Sequence, residues 1–351
     1  MATGLRLRLH GVDLTLEGGR ADFEDFAAHY LPPRLRVADA ARGDDVPIHV
    51  SLRWDEPLPE ADLEPLGRWV QVGPRRVRLL GVRFLPGLQI DAAWADGGMR
   101  VVAAYRWPSR RARWRTRFAA WERARLYVTL IYYLIYFPWA WWLESDRGWS
   151  LLHAAGLAWE GKGVLLTGLP GCGKSAVVWA ALHREGWRLL SDNLLFVDGQ
   201  GMWAFPEPIH VDRKARELGG GLPPAVRPTG ARFSHGRENF VLEGHRLADA
   251  APVRAVVLLR RGSEERVRRL DPGEVWRRLW SGDLLAQEWL AYRECAAGVH
   301  HAVPTVGDPA LRWDSLRALA ALPAYEVTVE EGGDLVRVVA DTLEGLVSDG
   351  G

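Results

Sequence analysis

Apolar and polar residues alternate from Leu5 to Leu16, the period-two pattern of a half-buried strand. Ala21 to Tyr30 switches to helical spacing and is stopped by Pro32-Pro33. Strand-like runs follow at Ile48 to Trp54, Trp69 to Val72, Val77 to Phe84, Leu88 to Ala92 and Met99 to Trp107. Turn residues such as Val72-Gly73-Pro74 and Asp96-Gly97-Gly98 separate them, so residues 1–110 predict an antiparallel β module.

Residues 111–147 predict a helical connector, basic and then aromatic. Arg110, Arg111, Arg113, Arg115 and Arg117 open a helix that continues through Phe118, Trp121 and Arg125. Such a run suits nucleic acid or acidic lipid, but with near-zero net charge a solvated face is the reading adopted. Leu126 to Leu143 is then 18 residues without a charge. As a helix it would span roughly 27 Å, close to a hydrocarbon core. Pro138 interrupts it, and Tyr127, Tyr132, Tyr133 and Tyr136 need hydroxyl partners, which favours a buried interdomain helix over a membrane span. An exposed docking or interfacial surface is the alternative.

The second half is organised around Gly163 to Ser175. An apolar β-like run, Gly163 to Thr167, enters the turn Gly168-Leu169-Pro170-Gly171-Cys172-Gly173, and Lys174-Ser175-Ala176 opens an apolar helical stretch. Gly168-x4-Gly173-Lys174-Ser175 fits the P-loop (Walker A) pattern. Its backbone N–H groups wrap phosphates, the Lys reaches the β/γ oxygens and the Ser hydroxyl binds Mg²⁺. Of 45 basic residues only Lys162, Lys174 and Lys214 are lysine. A compact ammonium fits between phosphates where a broad guanidinium would not, which accounts for Lys174.

Further along, Asp198-Gly199 between apolar runs reads as a hairpin turn rather than a second metal carboxylate. Ser234 to Asn239 reads as a surface loop or a lid. Val253 to Leu259 is continuously apolar, as a strand buried on both faces is. Asp271 to Glu274 predicts a helix N-cap, Leu311 to Leu322 another helix, and Tyr325 to Val329 with Leu335 to Val339 a pair of strands. His300-His301 lacks partners at metal spacing and is taken as surface.

Composition narrows the classes. A net charge of +1 gives no global field for nucleic acid, 48% hydrophobic residues mark a globular chain, and two cysteines suit a reducing, cytoplasmic setting rather than a disulfide framework. At 351 residues two units are expected.

Leu151-Leu152-His153-Ala154-Ala155, then Gly163 to Ser175, then Glu185-Gly186-Trp187-Arg188-Leu189-Leu190-Ser191-Asp192-Asn193 resembles the nucleotide-binding core of the HPr kinase/phosphorylase-like family. The resemblance implies an α/β fold: residues 148–351 as a P-loop, phosphoenolpyruvate-carboxykinase-like core behind a β-rich N-terminal module. It also implies ATP with Mg²⁺, a homo-oligomer, and phosphoryl transfer to a serine hydroxyl of a peptide or small protein. Lys174 would lie on the phosphates and Ser175 on Mg²⁺. Asp192 would take the hydroxyl proton, with His153 beside it, although a satisfied core residue is an equal role for His153. The metal set implied is Ser175, Asp192, Asn193 and Glu207. Asn193 replaces the second acid of the family pair, and no Glu-Ile-Arg-Gly-type stretch follows; Phe205 to Asp212 and Gly219 to Pro224 stand there instead. HPr itself is therefore not the expected acceptor. A small-molecule kinase or a non-catalytic nucleotide-dependent scaffold are the competing functions.

Overall fold

A computed structural model describes residues 4–37, 46–211, 213–218, 220–232, 238–242, 244–284, 287–330 and 338–348. The architecture is mixed α/β with two large mixed sheets, and the chain divides into two compact units. The first comprises Met1–Gly148 with Leu290–Asp308, the second Trp149–Trp289 with Pro309–Gly351.

In the first unit the strands are β1 (Leu5–Leu9), β2 (Val12–Glu17), β3 (Ile48–Trp54), β4 (Glu64–Pro65), β5 (Val70–Gly73), β6 (Arg76–Leu79), β7 (Leu88–Ala95) and β8 (Gly98–Tyr105). They form one sheet in the order β1-β2-β3-β8-β7-β6-β5-β4. Helix α1 (Ala21–Tyr30) follows β2 as expected. Two expectations change. The first strand is a hairpin, because His10 (φ 50°) and Gly11 (φ 80°) both take left-handed conformations and turn the chain. The sheet is also not purely antiparallel, since β3 runs parallel to both β2 and β8. Each of those pairs is separated by a long stretch of chain, which parallel pairing requires.

Helix α2 (Arg110–Phe118) breaks at Ala119 (φ −100°, ψ 107°) before α3 (Ala120–Ile131). A π-helical turn (Tyr132–Tyr136) then leads into α4 (Phe137–Arg147), ended by Gly148 in the left-handed conformation. Ala120–Arg147 is long and apolar enough to cross a membrane, yet 83% of its apolar window is buried inside the protein. Its rings pack within the first unit, Tyr127 on Phe23 at 5.3 Å and Trp141 on Trp94 at 6.4 Å. The Tyr127 hydroxyl donates to Asp22 at 2.6 Å. Pro138, in the first turn of α4, offers no N–H, and the widened turn just ahead of it accommodates that loss without breaking the helix.

The second unit holds β9 (Ser150–Leu152), β10 (Ala155–Trp159), β11 (Lys162–Thr167), α5 (Lys174–Ala181), β12 (Trp187–Ser191), β13 (Leu195–Val197) and β14 (Gly201–Ala204). Next come β15 (Ile209–Val211), α6 (Arg213–Leu218), β16 (Val226–Arg232), β17 (Glu238–Leu242), β18 (Ala250–Gly262), β19 (Arg266–Arg269) and α7 (Pro272–Leu284). Helix α8 (Gln287–His300) carries the chain back to the first unit, and α9 (Pro309–Ala320) and β20 (Ala324–Glu330) return to the second. The main sheet runs β12-β10-β11-β18-β14-β13-β9, with β20 between β18 and β19. The continuous apolar run in β18 has its expected cause. Val257 and Leu259 join the core under α5, while Val256 and Leu258 join the core under α7 and α9.

Asp271 caps α7 by accepting from the Glu274 N–H at 3.0 Å. Asp198 accepts from the N–H groups of Gln200 and Gly201 at 3.0 and 2.9 Å and closes the β13–β14 hairpin. β20 finds its partners in β18 and β19, whereas residues 331–337 of the expected strand pair lie outside the described residues and Val339 opens a π-helical turn.

Candidate functional site

The site is built by the register of three strands. β10 lies between β11 and β12, antiparallel to both, with Ala155 opposite Leu166 and Gly156 opposite Ser191. His153, just ahead of β10, therefore shares one end of the sheet with the Gly168 turn that leaves β11 and with Asp192 at the exit of β12. Open α/β sheets collect ligands at such an edge.

The turn from Gly168 to Gly173 has the backbone that glycine permits. Gly168 (φ +146°) could not carry a Cβ, which would lie 2.6 Å from the Leu259 carbonyl oxygen and 2.7 Å from Cys172 Sγ. Gly173 (φ +108°) caps α5 and faces open space. Leu169, Pro170 and Gly171 are exposed and Cys172 is half-buried. By contrast Lys174 is buried, and its Nζ donates across the turn to the Gly168 carbonyl at 3.0 Å. Ser175 is half-buried and Ala176 buried in the first turn of α5.

Behind the turn His153, Asp192 and Glu207 are buried, and the half-buried Asn193 links two of them. The Asn193 Nδ2 donates to Glu207 Oε2 at 3.3 Å, and the Asn193 side chain also hydrogen-bonds His153. Burial chiefly, and then the Lys174 charge, lower the His153 pKa to about 4, against the opposing effect of Asn193. His153 is thus neutral at pH 7. Asp192, 2% exposed, accepts from the His210 backbone N–H at 3.4 Å. Ser191 Oγ donates to the Phe205 carbonyl at 2.5 Å, tying the β12 exit to the segment that bears Glu207.

The structure thus joins His153 and Glu207 through Asn193, with the Lys174 charge felt at His153 and Asp192 beside Asn193 in sequence. His300 lies in the first unit, where its Nδ1 meets the Val306 carbonyl at 3.0 Å. Two residues near Asp192 were missed as site components. His210 on β15 pairs with Asn239 on β17, and their side chains hydrogen-bond. The expected loop or lid ending at Asn239 is corrected here. Glu238 and Asn239 are strand residues, Asn239 is 1% exposed, and 234–237 lie outside the described residues. Alternation through Ile209-His210-Val211 was the available sign of β15; Asp212 and Gly219 lie outside the described residues.

Among the described residues no group of three or more His, Cys, Asp or Glu side chains is arranged to hold a metal. Mg²⁺ on a nucleotide does not require one, since one or two carboxylates plus phosphate oxygens suffice. A cradle open at Gly171 and Gly173, a helix N-terminus, an ammonium and two buried carboxylates, Asp192 and Glu207, fit Mg-ATP in chemical type.

No protein-family model and no curated protein matches the chain. Among solved structures, the HPr(Ser) kinase/phosphatase from Coxiella burnetii is similar with a TM-score of 0.27 and 12% identity, over 56% of this chain and 95% of that one.

Proposed function

We propose that this chain is an ATP- and Mg²⁺-dependent P-loop kinase that phosphorylates a hydroxyl, a serine of a peptide or small protein, and works in the cytoplasm as a homo-oligomer. The observation that carries the reading is the convergence at one sheet end of a glycine turn, a buried lysine and a buried aspartate. Mg-ATP, when bound, supplies the phosphoryl group and a stabilised leaving group. The turn's N–H groups and Lys174 hold the phosphate charge. Ser175, Asp192, Asn193 and Glu207 would hold the metal, and Asp192 would take the proton of the acceptor hydroxyl. His153, kept neutral, adds no competing positive charge beside Lys174. The glycine turn together with Lys174 and Asp192 supports catalysis over a scaffold role.

The test is transfer of γ-labelled phosphate from Mg-ATP into size-fractionated lysate by wild type, Lys174→Ala and Asp192→Asn. A macromolecular band or a peptide labelled by wild type alone supports the kinase. Label confined to small molecules overturns the peptide acceptor, and bound ATP with no transfer in any fraction overturns catalysis.

A further inference from the structure

Helix α2 has an outward face that combines exposed aromatic rings with arginines. None of its residues is buried. Trp114 and Phe118 are 63% and 64% exposed, and Trp121, at the start of α3, is 41% exposed. At 100° per residue, Trp114 and Phe118 lie on one stripe, with Arg110 and Arg117 along one flank and Arg111 and Arg115 along the other. The opposite stripe, Ala112 and Thr116, is half-buried and lines a cavity of about 170 Å³ beneath the helix. The aromatic stripe therefore points away from the unit. Seven arginines and one glutamate lie between Arg110 and Arg125; that glutamate, Glu122, is already paired with Arg115, and Asp55 lies 3.6 Å from Arg113.

We infer that α2 and Trp121 form a membrane-surface anchor that docks this protein on anionic phospholipid bilayers, with the aromatic rings in the headgroup boundary and Arg110, Arg111 and Arg117 on lipid phosphates. Cationic helices with an aromatic stripe bind in the plane of the interface. The geometry selects a flat anionic surface over other acidic partners. The Trp114 and Phe118 ring centroids lie 5.1 Å apart with the planes tilted by 46°, so together they make one projecting apolar wedge rather than two parallel faces that would sandwich a base. Guanidinium groups already lie over Phe118 (Arg117, 5.7 Å) and Trp121 (Arg115, 5.8 Å). A wedge that projects is also the wrong shape to enclose a peptide, whereas it enters lipid readily. This docking needs no membrane span, since the long apolar helix is buried.

Flotation of the full-length protein with phosphatidylcholine vesicles, with and without phosphatidylglycerol, tests it. Wild type is expected to float only with the anionic vesicles and to be released by high salt. Each of Arg111→Gln and Arg117→Gln should lower the partition coefficient about fivefold. Trp114→Ala with Phe118→Ala should lower it at least about tenfold. Because these side chains are exposed, circular dichroism should match wild type; if the aromatic variant misfolds, the two glutamine variants decide alone. Equal binding to neutral vesicles, binding unmoved by the substitutions, or retention by single-stranded RNA or polyglutamate in preference to anionic vesicles would overturn the proposal.

Discussion

Asp91 in the first unit and Asp192 in the second are both buried, and the company each keeps differs. In the first, Asp91 on β7 is met by Arg76 on β6 through two bonds at 2.8 and 2.9 Å and by Arg78 opposite it. Arg78 also donates to the Pro59 carbonyl at 2.7 Å. In the second, Asp192 lies where a strand ends, against a backbone N–H, near an open glycine turn and a lysine. A carboxylate clasped by guanidinium groups across neighbouring strands is committed to holding the sheet. A carboxylate at a strand exit, grouped with other polar side chains, is the one that the proposed function assigns to an arriving acceptor.

The comparison breaks most visibly by substituting each aspartate in turn. Asp192→Asn should lower phosphoryl transfer about 10³- to 10⁴-fold, the upper range for loss of a general base, while leaving the unfolding midpoint close to wild type. Asp91→Ala should do the reverse. It leaves Arg78 buried without its carboxylate and should cost about 3–5 kcal/mol in urea denaturation, with transfer per folded molecule unchanged. If Asp91→Ala abolished transfer in folded protein, or Asp192→Asn left it intact, the distinction between the two would be lost.

His153 sharpens the same contrast through pH. Its folded pKa lies below the ordinary 6.5, at about 4, so the unfolded chain binds a proton first as pH falls. Stability should therefore decline between about pH 6.5 and 4, by about 3 kcal/mol from this group, and be flat in this respect above pH 6.5. His153→Gln should remove that part of the slope, which denaturation midpoints at successive pH values would reveal. The smallest effect is expected at the β13–β14 turn. Asp198→Ala removes two exposed turn hydrogen bonds and should cost about 1 kcal/mol without touching transfer, as expected of a residue that only closes a hairpin.

How far the sequence reveals this depends on distance along the chain. The strand, glycine turn and helix around Lys174 are local, and each is legible from spacing alone. The His10-Gly11 hairpin was legible in principle, because the apolar alternation shifts from odd positions (Leu5, Leu7, Leu9) to even ones (Val12, Leu14, Leu16) there. The parallel placement of β3 was not, since pairing partners far apart leave no local mark. The same holds for His210 and Asn239. Asn239 ends a polar stretch that reads as loop and His210 sits in a three-residue alternation, and only the β15–β17 register makes them neighbours. The exposure of Trp114 and Phe118 was equally hidden, because an aromatic at helical spacing is ordinarily core.

The return of the chain to the first unit also bears on the order in which a nascent chain can fold. Tyr292, Val299 and Val306 are buried, Tyr292 packs against Phe137 at 5.2 Å, and the Gly307 N–H donates to Glu144 at 2.6 Å. These groups are made only after residues 149–289, the larger part of the second unit. The amino-terminal sheet and its long aromatic helix must therefore wait, with that part of their apolar surface uncovered, while the strands of the second unit's main sheet up to β19 are synthesised. The usual progression of domains folding from the amino terminus is interrupted here. A chain truncated after Gly148 would lack the residues that complete its core, so the first unit cannot be obtained by a single cut.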